Sequence, residues 1–547
     1  MSLTGRLLTW LLKLPPAEID GYTVEHDVPV TMPDGVVLLA EHYIPRTDRP
    51  CPTLLTRTPY GRRGWANKLG VIPYVERGYQ VFVQSCRGTD GSGGEFAYTR
   101  NERADGLATI AWIKRQPWFN GELATVGPSY MGFVQWAVAA DAGEDLKAMV
   151  LTATTSDFHH FRAQGGVMTL ENMLAWSTMM TIETTSGPTI NLLRRRKLER
   201  DLERAYLSLP LDHADRLVVG GPSGPYQEWW AHPVDDPFWN QIIFSGRVGE
   251  ITAPIALQAG WYDLFLDWQL KDYQRLREAG KNPSLIIGPW HHLSPGALGP
   301  QARDQLAWLD ARVKGKTDRL RDNPVRIYVM GANEWRDYPD WPPAAQPQRW
   351  NLQPNRALSV ADPAEASEPD RYRYDPADPT PAVGGNSLGS LTRMGPKDNR
   401  KLEARPDVLI YTSAPLASDM EVIGPVTADL YVSSSLDYTD FFARLCVVEP
   451  SGKSINLCDG IISLTPELFP PDSDGIRHIQ IEVWPTAYHF RKGQRIRAHV
   501  SSGSHPHFAR NPGTGEPLGS ATKLLIADQT IYHDAAHPSA FILPVIE

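Results

Sequence analysis

The 547-residue sequence predicts an α/β core on a mostly parallel sheet, with a helical cap inserted into it and an all-β domain after it. Three observations predict this. Short apolar runs alternate with helical periods over residues 24–151 and again over 249–346. The alternation stops over residues 152–248. Over residues 347–547 proline and glycine become dense and short alternating strands follow one another, the texture of a sandwich or jelly roll. Residues 1–23 form a separate N-terminal segment.

That segment is apolar over residues 3–14 but is broken by Arg6 and Lys13 and runs into Pro15-Pro16. It lacks the features of a signal peptide and is far short of a membrane span, so it reads as a short amphipathic helix docked on the body. Next comes a hairpin: residues 24–30, the turn Met32-Pro33-Asp34-Gly35, and residues 36–43. Buried strands follow at residues 53–56, 80–83, 123–126 and 148–151, with helices at 104–114 and 132–142. In the insertion no strand pattern is evident. Met168, Met173, Met179 and Met180 gather around Trp176, either as an acyl pocket or as the cap's own core, and a charged helix spans residues 192–207. Strands resume at 255–258 and 285–287 and helices at 267–278 and 304–314, and a strand at 325–330 closes the unit.

Composition narrows the partners. A net charge of −9 leaves no overall basic field for nucleic acid or an anionic membrane. The basic run Arg194-Arg195-Arg196-Lys197 lies among Glu199, Asp201 and Glu203 and reads as a solvated helix face. The four cysteines make no disulfide framework, and no Cys/His cluster has zinc spacing, so no metal or cofactor is expected. Cys446 and Cys458 flank the turn Pro450-Ser451-Gly452-Lys453 and read as two buried thiols, which suits a cytoplasmic location.

The sharpest local signal is Gly127-Pro128-Ser129-Tyr130-Met131-Gly132, set between an apolar strand and an apolar helix as a nucleophile elbow requires. It departs from the G-x-S-x-G pattern in carrying methionine at 131. Two further candidates fall just past strand ends, in the required chain order: Asp263 in Gly260-Trp261-Tyr262-Asp263, and His291 or His292 in Gly288-Pro289-Trp290-His291-His292. The residue types fit acyl transfer. A serine hydroxyl needs an imidazole to take its proton, and a carboxylate on the other ring nitrogen fixes the tautomer. The oxyanion needs donors, one from the backbone N–H of Tyr130. Tyr60, in the loop Arg57-Thr58-Pro59-Tyr60-Gly61, is either a second donor or packing.

Together these stretches resemble the cocaine-esterase-like branch of the α/β-hydrolases, which also holds α-amino acid ester hydrolases, glutaryl acylases and X-Pro dipeptidyl peptidases. The resemblance also rests on Arg87-Gly88-Thr89-Asp90-Gly91-Ser92-Gly93-Gly94, His232-Pro233 with Asp236 and Trp239, Val329-Met330-Gly331, Leu409-Ile410-Tyr411-Thr412-Ser413 and Gly424-Pro425-Val426. It implies an α/β-hydrolase core, a helical cap and a C-terminal jelly roll. It further implies His292 as the base, Tyr60 as an oxyanion donor, and an elbow that tolerates Met131. Arg87 to Gly94 then reads as a structural loop.

The resulting expectation is a serine hydrolase acting on small-molecule esters or amides, in the first place a carboxylesterase on uncharged acyl groups, with homo-oligomerisation left open. Trp176, Met173 and Phe265 are the candidate pocket residues. Family members that take α-amino acyl substrates carry an acidic pair just after the triad aspartate, whereas here Leu264, Phe265 and Leu266 follow Asp263. An amidase, acylase or X-Pro-type peptidase is the alternative. From another class, the alternative is a ligand-binding protein with an idle core.

Overall fold

The computed structural model describes residues 2–186 and 192–546. A ten-stranded sheet forms the core: β1 (Tyr22–Thr31), β2 (Val37–Pro45), β3 (Thr53–Thr58), β4 (Gln80–Ser85), β5 (Leu123–Pro128), β6 (Leu146–Thr152), β9 (Ile255–Tyr262), β10 (Ser284–His291), β11 (Val325–Val329) and β12 (Glu334–Tyr338). The short pair β7 (Ala163–Gln164) and β8 (Val167–Met168) lies outside it. The spatial order is β1-β2-β4-β3-β5-β6-β9-β10-β11-β12, parallel from β4 to β11 and antiparallel at both edges. Strands β4 and β9 are buried along their whole length, as apolar strands covered on both faces should be.

The helices are α1 (Leu3–Leu12), α2 (Trp65–Val75), α3 (Glu102–Ile113), α4 (Tyr130–Ala139), α5 (Leu170–Ser186), α6 (Leu192–Tyr206), α7 (Arg216–Val219), α8 (Gly224–Ala231), α9 (Leu266–Glu278) and α10 (Leu298–Val313). Helices α5 to α8 form the cap. Their shared core of Leu170, Leu174, Leu202, Tyr206 and Tyr226 also takes in Ala509 from the C-terminal domain. That domain is an antiparallel β-sandwich, running from the strand Gln346–Gln353 to the strand Ala540–Ile546.

The structure corrects several expectations. The insertion does contain strand, the two-residue pair β7 and β8. The strand at 325–330 does not close the sheet, because β12 pairs antiparallel with it. Glu334-Trp335-Arg336-Asp337-Tyr338 is a charged edge strand with no buried face to make it read as one. Helix α10 starts at Leu298 rather than 304, since Pro300 falls in its first turn, where proline costs no hydrogen bond. Helix α2 was not expected at all, with Gly70 and Pro73 inside it.

Cys446 and Cys458 are free and do not face each other squarely. A bulge sets Leu445 opposite Cys458 and Cys446 opposite Asn456. In α6, Asp201 pairs with Lys197 at 2.5 Å and Arg204 at 2.7 Å, while the side chains of Arg194 and Arg195 lie outside the described residues. Helix α1 is docked, but by the side that carries Gly5, Thr9 and Leu12 rather than the side that carries Leu3, Leu7, Trp10 and Leu11. No helix among the described residues is long and apolar enough to cross a membrane.

Candidate active site

Strand β5 ends at Pro128 and α4 starts at Tyr130, which leaves Ser129 alone in the turn at φ 58°, ψ −125°. A non-glycine residue is strained there, so the turn must be fixed from outside. The Ser129 N–H donates to the Thr152 carbonyl at 2.9 Å, and the Ser129 carbonyl accepts from the N–H of Gly132 and Phe133. Both glycines of the motif have steric causes. A Cβ on Gly127 would fall 2.5 Å from Met131 Cβ, and one on Gly132 would fall 2.5 Å from Thr154 Cγ2. Close approach thus falls on residue 132 rather than 131, which is why methionine is accommodated at 131.

Strands β9 and β10 are parallel neighbours that run on to Tyr262 and His291, so Asp263 and His292 each stand one residue past a strand end. The strands outlast their apolar runs because Gly260 and Gly288 are sites of close contact with Trp290 rather than turns. His292 Nδ1 lies 2.9 Å from Asp263 Oδ2, with the two side chains only 9% and 4% exposed. The other Asp263 oxygen accepts from the Phe265 N–H at 2.9 Å, and the Phe265 ring lies against His292. With Nδ1 committed to the carboxylate, Nε2 is the nitrogen available to a substrate. His291 points elsewhere: its Nδ1 accepts from the Leu293 N–H at 3.3 Å. Asp267 pairs with Lys271, and Asp272 with Ser156, so neither competes with Asp263.

Tyr60 follows β3, and its phenol accepts from Trp176 Nε1 at 3.2 Å. Burial pushes its pKa up to about 12, and the Ser129 hydroxyl lies within interaction range of it. Trp176 uses a lone pair of that oxygen, so the phenolic proton remains to be donated. The Tyr130 phenol is spent, donating to Glu102 Oε1 at 2.8 Å and accepting from the Thr99 N–H at 3.0 Å. Its backbone N–H is the first of α4 and has no partner within the helix.

Ser129 and His292 border one pocket, walled by Met173, Trp176, Phe265, Phe158, Phe161 and Tyr98. Its free space is about 20 Å³, room for roughly one water. Substrate access therefore requires side chains to move, and the unbranched Met173 is suited to that. The methionine cluster divides: Met173 joins the pocket, Met168 packs on the cap core, and Met180 is buried away from both.

Sequence reasoning missed Phe158 and Phe161, although an aromatic run just past the end of β6 was a usable signal. It also missed Asn172 and Leu388. Leu388 arrives from the C-terminal domain, and its N–H donates to Asn172 Oδ1 at 2.9 Å. No sequence cue announces that contact.

No carboxylate stands among the described pocket-lining residues. Glu171 is fully buried but held by Arg393 at 2.5 Å and by Ser387, and Asp157 pairs with His160 at 2.7 Å. Glu183, further along α5, adds to the rise of the Tyr60 pKa, yet it does not border the pocket and its own carboxyl is pushed up by burial. Among the described residues one group has metal-ligand character: Glu403, Cys446 and His499, within the β-sandwich. There Glu403 is already neutralised by Arg497, and burial pushes the Cys446 thiol up to about 12.

The family model for X-Pro dipeptidyl-peptidase (S15 family) matches residues 34–294, and that for the X-Pro dipeptidyl-peptidase C-terminal non-catalytic domain matches residues 320–542. Cocaine esterase from Rhodococcus sp. (strain MB1 Bresler) is 31% identical over 97% of this chain and 100% of its own length. Among solved structures, an aminopeptidase from a marine sediment Thaumarchaeota archaeon superposes with a TM-score of 0.84 at 24% identity, covering 97% of this chain and 98% of that one. An α-amino acid ester hydrolase gives 0.82 at 22% identity with the same coverage. At those identities the two structures establish the shared fold.

Proposed function

Since the chain belongs to the S15 family of serine hydrolases, we propose that it is a carboxylesterase acting on uncharged acyl groups. The proposed nucleophile is Ser129, with His292 as base and Asp263 as its orienting acid. His292 takes the Ser129 proton as Oγ attacks the ester carbonyl, then delivers it to the departing alcohol. The Tyr60 hydroxyl and the Tyr130 N–H donate to the oxyanion. Water activated by His292 next releases the acid and frees the serine.

The observation that carries the acyl preference is the pocket wall, aromatic and aliphatic around Asn172, with every nearby buried acid either paired or set back. A desolvated substrate ammonium with no carboxylate beside it would cost several kcal/mol. The test compares kcat/KM for phenylacetyl and phenylglycyl methyl esters, with a preference of roughly 10²-fold or more for phenylacetyl expected from that cost. Preference for phenylglycyl would overturn the neutral-acyl reading and make Glu183 the first acid to remove. A fluorophosphonate probe should label the protein and fail to label Ser129→Ala; labelling that survives the substitution removes Ser129 as nucleophile.

A further inference from the structure

Helix α1 presents its apolar side to solvent. Leu3, Leu7, Trp10 and Leu11 are 85%, 59%, 75% and 61% exposed. At ~100° per residue these four fall on one stripe, and Gly5, Thr9 and Leu12 fall on the opposite side. That opposite side does the docking. A Cβ on Gly5 would collide with the Glu76 carboxylate, Ser2 Oγ donates to Glu76 at 2.9 Å, Arg77 donates to Thr9 Oγ1 at 3.1 Å, and Arg303 donates to the Leu12 carbonyl at 2.6 Å. The helix is thus held in place by polar contacts and by the packing of Leu12 on the core, with Leu8 half-buried and the four residues of the stripe left unused by the body. Its orientation is the reverse of what burial alone would choose.

The charges around the stripe are one-sided. Arg6 and Lys13 are both exposed and flank it, and no acid occurs from Ser2 to Ala17, although the whole chain carries a net charge of −9. Two further exposed leucines lie in the segment whose start the docked side of the helix touches. Leu12 lies against Gly299 at the start of α10, and Leu298 and Leu293, 58% and 53% exposed, belong to the segment that follows His292. Helix α1 precedes both family matches.

We propose that this face seats the protein on the surface of a lipid bilayer bearing anionic headgroups, with Leu3, Leu7, Trp10 and Leu11 in the interfacial layer and Arg6 and Lys13 at headgroup level. A tryptophan among leucines with flanking cations is the chemistry of an interfacial helix. Two-fold pairing of α1 with a second copy fits less well. The stripe exposes on the order of 500 Å², short of the ~800 Å² per partner of a stable interface, and pairing would bring like charges together.

The test is co-sedimentation of the intact protein with vesicles of mixed phosphatidylcholine and phosphatidylglycerol and with vesicles of phosphatidylcholine alone. Wild type should sediment with the mixed vesicles. L7S/W10S/L11S should lose roughly tenfold or more of that partition. R6Q/K13Q should lose the preference for anionic vesicles. All should keep their turnover of a soluble ester and their thermal midpoint, since the altered side chains touch neither the pocket nor the docked face. Wild type remaining in the supernatant overturns the proposal, as does L7S/W10S/L11S sedimenting like wild type. A lipid-free dimer that becomes a monomer in L7S/W10S/L11S would assign the stripe to a second copy and overturn it equally.

Discussion

At the scale of single residues, the proposed site depends on which protons are held and which are free. Tyr60 accepts from Trp176 and is held protonated by burial, so its proton is available to a developing oxyanion. Tyr60→Phe should lower kcat by roughly 10²- to 10³-fold with little change in KM, because that charge exists only in the transition state. An unchanged kcat would return Tyr60 to packing around Trp176. The two adjacent histidines separate on the same logic: His292 Nδ1 meets Asp263, whereas His291 Nδ1 meets a backbone N–H. His292→Ala should cost several powers of ten in kcat and His291→Ala far less; the reverse order would move the base to His291. The proposed triad of Ser129, Asp263 and His292 could be put forward from sequence because a parallel sheet presents its chemistry at strand ends, in chain order. Leu388 could not, since its place in the pocket is fixed by the packing of one domain on another.

At the scale of elements, periodicity located every buried strand of the core and failed where an element had no buried face, as at β12, or carried breakers, as at α2 and α10. It also gave no hint of what fixes α5, the helix that carries Met173 and Trp176. Glu171, in the first turn of α5, is fully buried with one carboxylate oxygen on Arg393 and the other on Ser387, while Asn172 holds the Leu388 N–H. A β-domain loop is thereby latched to the cap beside the pocket. Arg393→Met would strand a buried carboxylate and should cost about 3–5 kcal/mol, with a raised KM as the pocket wall loosens. Replacing both partners, in Glu171→Met with Arg393→Met, should recover most of that stability, because a charge-free buried pair carries no desolvation debt. Thermal midpoints of the two singles and the double decide it. Additive losses would mean that the pair is no latch.

At the scale of the whole molecule, the same junction carries a pH dependence. His505 and His507 sit where the β-domain meets the cap: the Pro506 carbonyl accepts from the Glu171 N–H at 3.0 Å, and Ala509 enters the cap core. Both rings are buried, and none of their four nitrogens has a hydrogen-bond partner among the described residues. Burial holds His505 down at about 3 and His507 down at about 4, with Arg393 adding repulsion to each. The unfolded chain takes up both protons as pH falls through ~6.5, whereas the folded chain takes them up only near the depressed values. Between those limits the unfolded state binds more protons, so stability is full above ~6.5 and is lost as pH falls, by ~1.4 kcal/mol per pH unit for each histidine. The paired carboxylates Asp141 and Asp398, held near 2 by arginines, add their own loss only below about 4. Asp440, pushed up to about 7 by burial, takes up its proton in the folded chain first and opposes the histidines, so two histidines against one carboxyl leave a net fall in the upper part of the window. Thermal midpoints measured from pH 7.5 down to about 4.5 should therefore drop steadily below ~6.5. His505→Asn with His507→Gln, which cannot take up a proton in either state, should flatten that fall. An equally steep fall in the double variant would place the titrating groups elsewhere, with His159, held down at about 4 by burial against Arg162, the next to replace.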